Sequence, residues 1–102
     1  MWHTLIDDDS SYTEASCTCG FAYGMLNAVR KKLIDPKYRE IALKALSPIL
    51  ELIDEKGILH QVSYGTAMGR ESLDFYKGIE IKSMPYGTAM AILFLLEVQS
   101  KN

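Results

Sequence analysis

Tyr12, Ala15, Cys19, Ala22, Leu26, Val29 and Leu33 follow one another at alternating spacings of three and four residues. That rhythm returns to one face of an α-helix turn after turn and to no single face of a strand. It predicts a helix from about Thr13 to Leu33 with one buried stripe. Ser11-Tyr12-Thr13-Glu14 just before it fits a capping box, with Ser11 as cap and Glu14 reaching back to the cap amide. Arg30, Lys31 and Lys32 fall in the last turn, where cations suit the helix dipole. The first half is rich in small residues, among them Gly20 and Gly24, each of which costs about 1 kcal/mol relative to Ala. Such a helix is expected to be approached closely from several sides.

Asp35-Pro36 restarts the chain with a cap and a residue suited to the first helical position. Tyr38, Ile41, Ala42, Ala45, Leu46, Ile49, Leu50 and Ile53 form a broad apolar face that stops by Gly57. Pro48 lies within it and predicts a kink or a split near Leu46. The short connection makes the two helices an antiparallel hairpin. Between Gly57 and Pro85 the helical rhythm fades, although Ile58 to Tyr64 could be extended and Ile79 to Lys82 alternates like a short strand. Long connections of this kind in a compact domain usually carry function. Pro85 opens a third helix, Tyr86 to Gln99, in which Ala89 to Leu96 is apolar on every face, so full enclosure is expected. The fold class is therefore all-α: an antiparallel helical hairpin, a third buried helix and one long structured loop, in a single domain over residues 1–102.

The formal net charge of -2 and pI of about 5.6 argue against a nucleic-acid partner and against a polybasic membrane-surface module. No apolar run approaches the roughly 18 residues of a membrane span, and Met1 to Thr4 lacks the pattern that opens a signal peptide. Cys17 and Cys19, two apart, read as reduced thiols packing like small apolar side chains. No zinc-type spacing is present, and neither a metal nor another cofactor is expected.

Several residues carry two readings. Asp7, Asp8 and Asp9 could supply an acid/base pair or a cation site, or form a solvated turn beside a helix N-terminus. Glu14 is a buried acid or a cap. His3 and His60 are acid/base or sugar-binding groups, or structural ones. Trp2 either stacks on a flat ligand or packs against the body of the fold. Tyr64-Gly65-Thr66 is a tight turn that also offers amides and a hydroxyl. Arg70, Tyr76, Lys82 and Ser83 lie along the long loop, where binding residues concentrate. No phosphate loop, hydrolase elbow or metalloprotease motif occurs.

The order of motifs adds a resemblance. Trp2-His3 leads to an acidic turn, then Tyr12-Thr13-Glu14-Ala15-Ser16 and Phe21-Ala22-Tyr23-Gly24. After the second helix come Val62 to Gly69, Asp74-Phe75-Tyr76 and Met84-Pro85-Tyr86-Gly87. Over nearly its whole length the chain resembles the C-terminal part of glycoside hydrolase family 105, the unsaturated rhamnogalacturonyl hydrolases. Family 88, the unsaturated glucuronyl hydrolases, is the more distant relative. The resemblance implies a partial (α/α)6 toroid. It also implies an enzyme class that removes 4,5-unsaturated uronic sugars from pectin or glycosaminoglycan fragments. In that class a carboxylic acid protonates the vinyl-ether double bond, water adds at C5, and the hemiketal opens, a route unlike the two-carboxylate scheme of most glycosidases.

A whole toroid needs about 130 residues in helices alone, at roughly 11 per helix. The family's essential aspartates lie upstream of anything that matches here, so no catalytic residue is carried over and the isolated chain is expected to be inactive. The matching pieces would be pocket wall: Trp2 and His3 at one mouth, Glu14 and Ser16 at the start of the first helix, and Tyr64, Thr66 and Arg70 on the long loop near the leaving-group side. The partner would be an unsaturated oligosaccharide, met once the pocket is completed. Helix faces left uncovered would favour a homo-oligomer, and the family expectation for location is cytoplasmic. Another class remains open: an inactive helical interaction or oligomerisation module, or a sugar-binding remnant.

Overall fold

The structure is a computed structural model that describes residues 1–65 and 74–100. The first long helix, α1, spans Ala15–Arg30 and buries Ala15, Thr18, Cys19, Ala22 and Leu26. The stripe is real, but its ends differ from expectation. Leu33 is outside the helix and largely exposed. The helix starts at Ala15 because Thr4 N donates to Tyr12 O at 2.8 Å and Glu14 N to Trp2 O at 3.0 Å, which holds residues 12–14 extended against the N-terminal segment. Glu14, not Ser11, is therefore the cap: its carboxylate accepts the Cys17 N–H at 2.7 Å. Ser11 instead closes the turn before it, its hydroxyl donating to Asp8 O at 2.7 Å.

At its far end α1 stops in a Schellman arrangement. Leu33 N donates to Ala28 O at 2.8 Å and Lys32 N to Val29 O at 3.0 Å, with Lys32 left-handed at φ 61. The next helices, α2 (Lys37–Leu43) and α3 (Leu46–Leu52), are the halves of the expected second helix, split just before Pro48. Pro48 then sits in the first turn of α3, where its missing N–H would be unpaired in any case. Gly57 comes after the helix rather than ending it. It turns the chain at φ 82, with Asp54 accepting from Lys56 N and Ile58 N.

The long connection contains short elements. Strand β1 (Val62–Ser63) pairs antiparallel with β2 (Ile81–Lys82), in the register Val62 opposite Lys82 and Ser63 opposite Ile81. Between them lies the single-turn helix α4 (Asp74–Lys77). The last helix, α5 (Pro85–Gln99), opens on Pro85.

The core is where α1 packs on α5, with α2 against another side of α1. The two long helices run in the same direction. Glu14 and Tyr86 lie at one end, and at the other Arg30 Nε donates to the buried Glu97 carboxylate at 2.7 Å. Close approach is selective. A Cβ on Gly87 would meet Val62 Cγ2 at 2.6 Å, whereas one on Gly24 would meet nothing within 4 Å.

Full enclosure of α5 is not what the structure shows. Ala91 and Phe94 are buried, but Ile92, Leu93 and Leu96 are exposed, Leu96 at 59%. The reason is dimensional. The described fold measures 44 × 32 × 19 Å, and helices pack about 8–10 Å apart, so its thin direction holds about two helices and cannot cover α5 on both sides. Its radius of gyration, 14.2 Å, also exceeds the roughly 13 Å of a compact domain of this length. No helix among the described residues is long and apolar enough to cross a membrane.

Candidate functional site

At the end where α1 and α5 both begin, the chain encloses a cavity of about 570 Å³, within the usual range of small-molecule sites. Glu14 organises it. Besides capping α1, its carboxylate accepts the Ser16 hydroxyl at 2.8 Å on both oxygens and the Ser63 N–H at 3.0 Å. Ser63 lies on β1, so one buried carboxylate joins the start of α1 to the strand that opens the long connection's small sheet. The Tyr12 hydroxyl meets Ser63 Oγ at 2.5 Å, and the Tyr86 hydroxyl donates to the Ser63 carbonyl. Burial, and then the Glu14 carboxylate, raise the Tyr86 phenol above its ordinary value.

His3 lines the cavity and is held by its backbone bridge to Thr13. Its Nδ1 lies 2.6 Å from the Ser11 carbonyl oxygen. A carbonyl only accepts, so Nδ1 carries the hydrogen, and in the neutral ring Nε2 is the acceptor. Phe21, Tyr76 and Tyr86 supply aromatic surface to the lining, and Leu5 and Ile6 aliphatic surface.

Of the residues expected from sequence, His3, Glu14 and Ser16 come together here. Trp2 stands behind them. Its indole meets Phe21 edge-on, 5.5 Å between ring centroids, and borders a separate hollow beside Ile41 and Lys44. Tyr64 is half exposed and carries the Lys82 ammonium over its ring at 4.2 Å, outside the cavity lining. Thr66 and Arg70 lie outside the described residues. His60 is engaged elsewhere, its Nε2 2.7 Å from Asp54 Oδ2. Asp8 binds Lys77 at 2.9 Å.

Phe21, Ser63 and Tyr86 line the cavity without having been singled out as site residues. Two of them had a signal. Phe21 is a large aromatic off the buried stripe in a helix half otherwise built from small residues, and Tyr86 follows the proline that opens an apolar helix.

Cys17 also lines the cavity, but burial and then the Glu14 carboxylate push its thiol up to about 11, and Cys19 is pushed up to about 12. Both thiols are free and poorly nucleophilic. Among the described residues no cluster of His, Cys, Asp and Glu could hold a metal ion.

The family model described as Glycosyl Hydrolase Family 88 matches residues 1–101. The unsaturated rhamnogalacturonyl hydrolase YesR of Bacillus subtilis is 31% identical over 99 residues, which cover 96% of this chain and 27% of that protein. Crystal structures of possible members of the GH105 family from Salmonella enterica and Klebsiella pneumoniae are 53% and 54% identical, each with a TM-score of 0.91. Each match covers 96% of this chain and 26% of the other. A family 105 glycoside hydrolase from C. acetobutylicum, 24% identical, shares the fold at a TM-score of 0.80, over 94% of this chain and 31% of its own. The chain thus spans about a quarter of the length of YesR and of the Salmonella and Klebsiella proteins.

Proposed function

The chain belongs to Glycosyl Hydrolase Family 88, and from that premise we propose that it forms one wall of a glycosidase cleft. The cleft removes 4,5-unsaturated uronic sugars from rhamnogalacturonan oligosaccharides by hydrating the double bond, within a partial (α/α)6 toroid. The observation that carries this reading is the cavity at the paired helix starts, in a chain 31% identical to an unsaturated rhamnogalacturonyl hydrolase.

The chemistry of the lining supports a division of labour. The Glu14 oxygens face donors from Cys17, Ser16 and Ser63. Glu14 therefore acts as a buttress, and a carboxylate at that place repels an anionic sugar. The uronate sits elsewhere in the cleft, and this wall takes the neutral leaving sugar. The deoxy methyl group of a rhamnose suits Leu5, Ile6 and Phe21, while His3 Nε2 and Ser16 offer polar contacts for ring hydroxyls. Protonation of the double bond belongs to a group outside this chain. A cytoplasmic setting agrees with the free thiols Cys17 and Cys19.

The test follows the ultraviolet absorbance of the conjugated double bond with purified chain and unsaturated rhamnogalacturonan disaccharide, alongside a binding titration. The expected result is binding without loss of absorbance. Turnover would place an acid among Asp7, Asp8, Asp9 or Glu14 and overturn the wall reading. Absence of binding would remove the sugar site.

A further inference from the structure

We infer that Asp8, Ser10 and Lys77 form a latch that fixes Tyr76 relative to Leu5 and Ile6 in the cavity lining, and so sets how tightly the cavity holds its sugar. This rests on the reading of the cavity as a sugar site.

Two segments far apart in sequence contribute to the lining: the turn that carries Leu5 and Ile6, and α4, which carries Tyr76. No residue of α4 is fully buried; Tyr76 and Lys77 are half-buried, so polar contacts share in fixing this single turn. Lys77 ties the two segments together: its Nζ lies 2.9 Å from Asp8 Oδ2 and donates to Ser10 Oγ at 2.9 Å. Asp74 adds a longer contact to Nζ at 3.7 Å.

The turn is stiff enough to transmit that hold. Asp8 Oδ1 accepts from Ser10 N at 2.9 Å and from Ser10 Oγ at 2.6 Å. Asp8 N donates to Leu5 O at 3.0 Å, and the Ser11 hydroxyl donates to Asp8 O at 2.7 Å. Moving Asp8 therefore moves Leu5 and Ile6, and moving Lys77 moves its neighbour Tyr76. The Ser10 hydroxyl and then Lys77 hold the Asp8 carboxyl well below the usual carboxylate range, which agrees with a tight contact. A lone surface ion pair contributes little to folding. This one is part of a network that holds a loop and adds modestly to the fold.

Asp8→Asn, Lys77→Met, the double variant and Lys77→Arg are compared with the parent chain. The readouts are the amide resonances of Leu5 and Ile6, the ring resonances of Tyr76, and titration with unsaturated rhamnogalacturonan disaccharide. A latch predicts that Asp8→Asn and Lys77→Met each weaken binding by about twofold to fivefold. The double variant should be no weaker than the worse single one, and Lys77→Arg should keep most of the affinity. Resonances of Leu5 and Ile6 and those of Tyr76 should shift together in each weakened variant. Tighter binding in Asp8→Asn with weaker binding in Lys77→Met would show that Lys77 acts on the sugar as a charge, and would overturn the latch. Resonances of one segment that ignore the other would also overturn it. A parent chain that binds no sugar would sink the sugar reading alone, because the resonances still decide the latch.

Discussion

The buried carboxylate of Glu14 accepts the backbone N–H of Ser63, 49 residues away, at 3.0 Å. One residue thus caps α1, anchors β1 and faces the cavity. Replacing Glu14 by Ala removes the cap and leaves the Ser63 N–H without its acceptor. The expected cost is about 1–3 kcal/mol, read as a lower urea midpoint at constant slope. Glu14→Gln keeps one acceptor oxygen and should lose less.

Gly87 and Gly24 should behave oppositely. Gly87 faces Val62 at a distance no Cβ can occupy, so Gly87→Ala should destabilise by about 1–3 kcal/mol. Gly24 has open space beside it, so Gly24→Ala should stabilise by about 1 kcal/mol through helix propensity alone. Urea unfolding of both variants checks the pair.

These contacts also separate what was legible in the sequence from what was not. The stripe from Ala15 to Leu26 and the break before Pro48 were legible, because helical periodicity and proline sterics are local. The capping box at Ser11 misled, since its pattern is local while the outcome was decided by Trp2 and Thr4 pairing across to Glu14 and Tyr12. Enclosure of α5 misled for a related reason. Hydrophobicity marks what a helix needs covered, and coverage depends on layers that a slab of this thickness lacks. In the site, His3, Glu14 and Ser16 could be found from their order along the chain. Tyr86 joins them through its hydrogen bond to Ser63, while Tyr64 lies under Lys82 outside the lining.

Acid should weaken the fold through Asp8 and Asp54. Both carboxyls lie below their ordinary value of 3.8 in the folded chain, Asp8 through Ser10 and Lys77, Asp54 through His60 and the Ile58 N–H. A folded pKa below the unfolded one means that the unfolded chain binds more protons as pH falls. Their contribution is therefore fully present above the ordinary carboxylate value and is lost progressively below it. Thermal midpoints should fall on acidification past that value, and Asp8→Asn should make the decline shallower.

The exposed strip Ile92, Leu93 and Leu96 predicts association of this chain with itself when it is alone in solution. Sedimentation velocity at rising concentration should show a shift to larger species, and Leu96→Lys should reduce it. A concentration-independent monomer would count against the prediction.

The central claim is that this chain supplies a sugar-binding wall without the acid. It is tested most directly by a nuclear magnetic resonance titration of the purified chain with unsaturated rhamnogalacturonan disaccharide. The account predicts shifts concentrated at His3, Ser16, Phe21, Tyr76 and Tyr86, with the double bond of the sugar intact throughout. Shifts confined to residues away from the cavity, or consumption of the double bond, would contradict it.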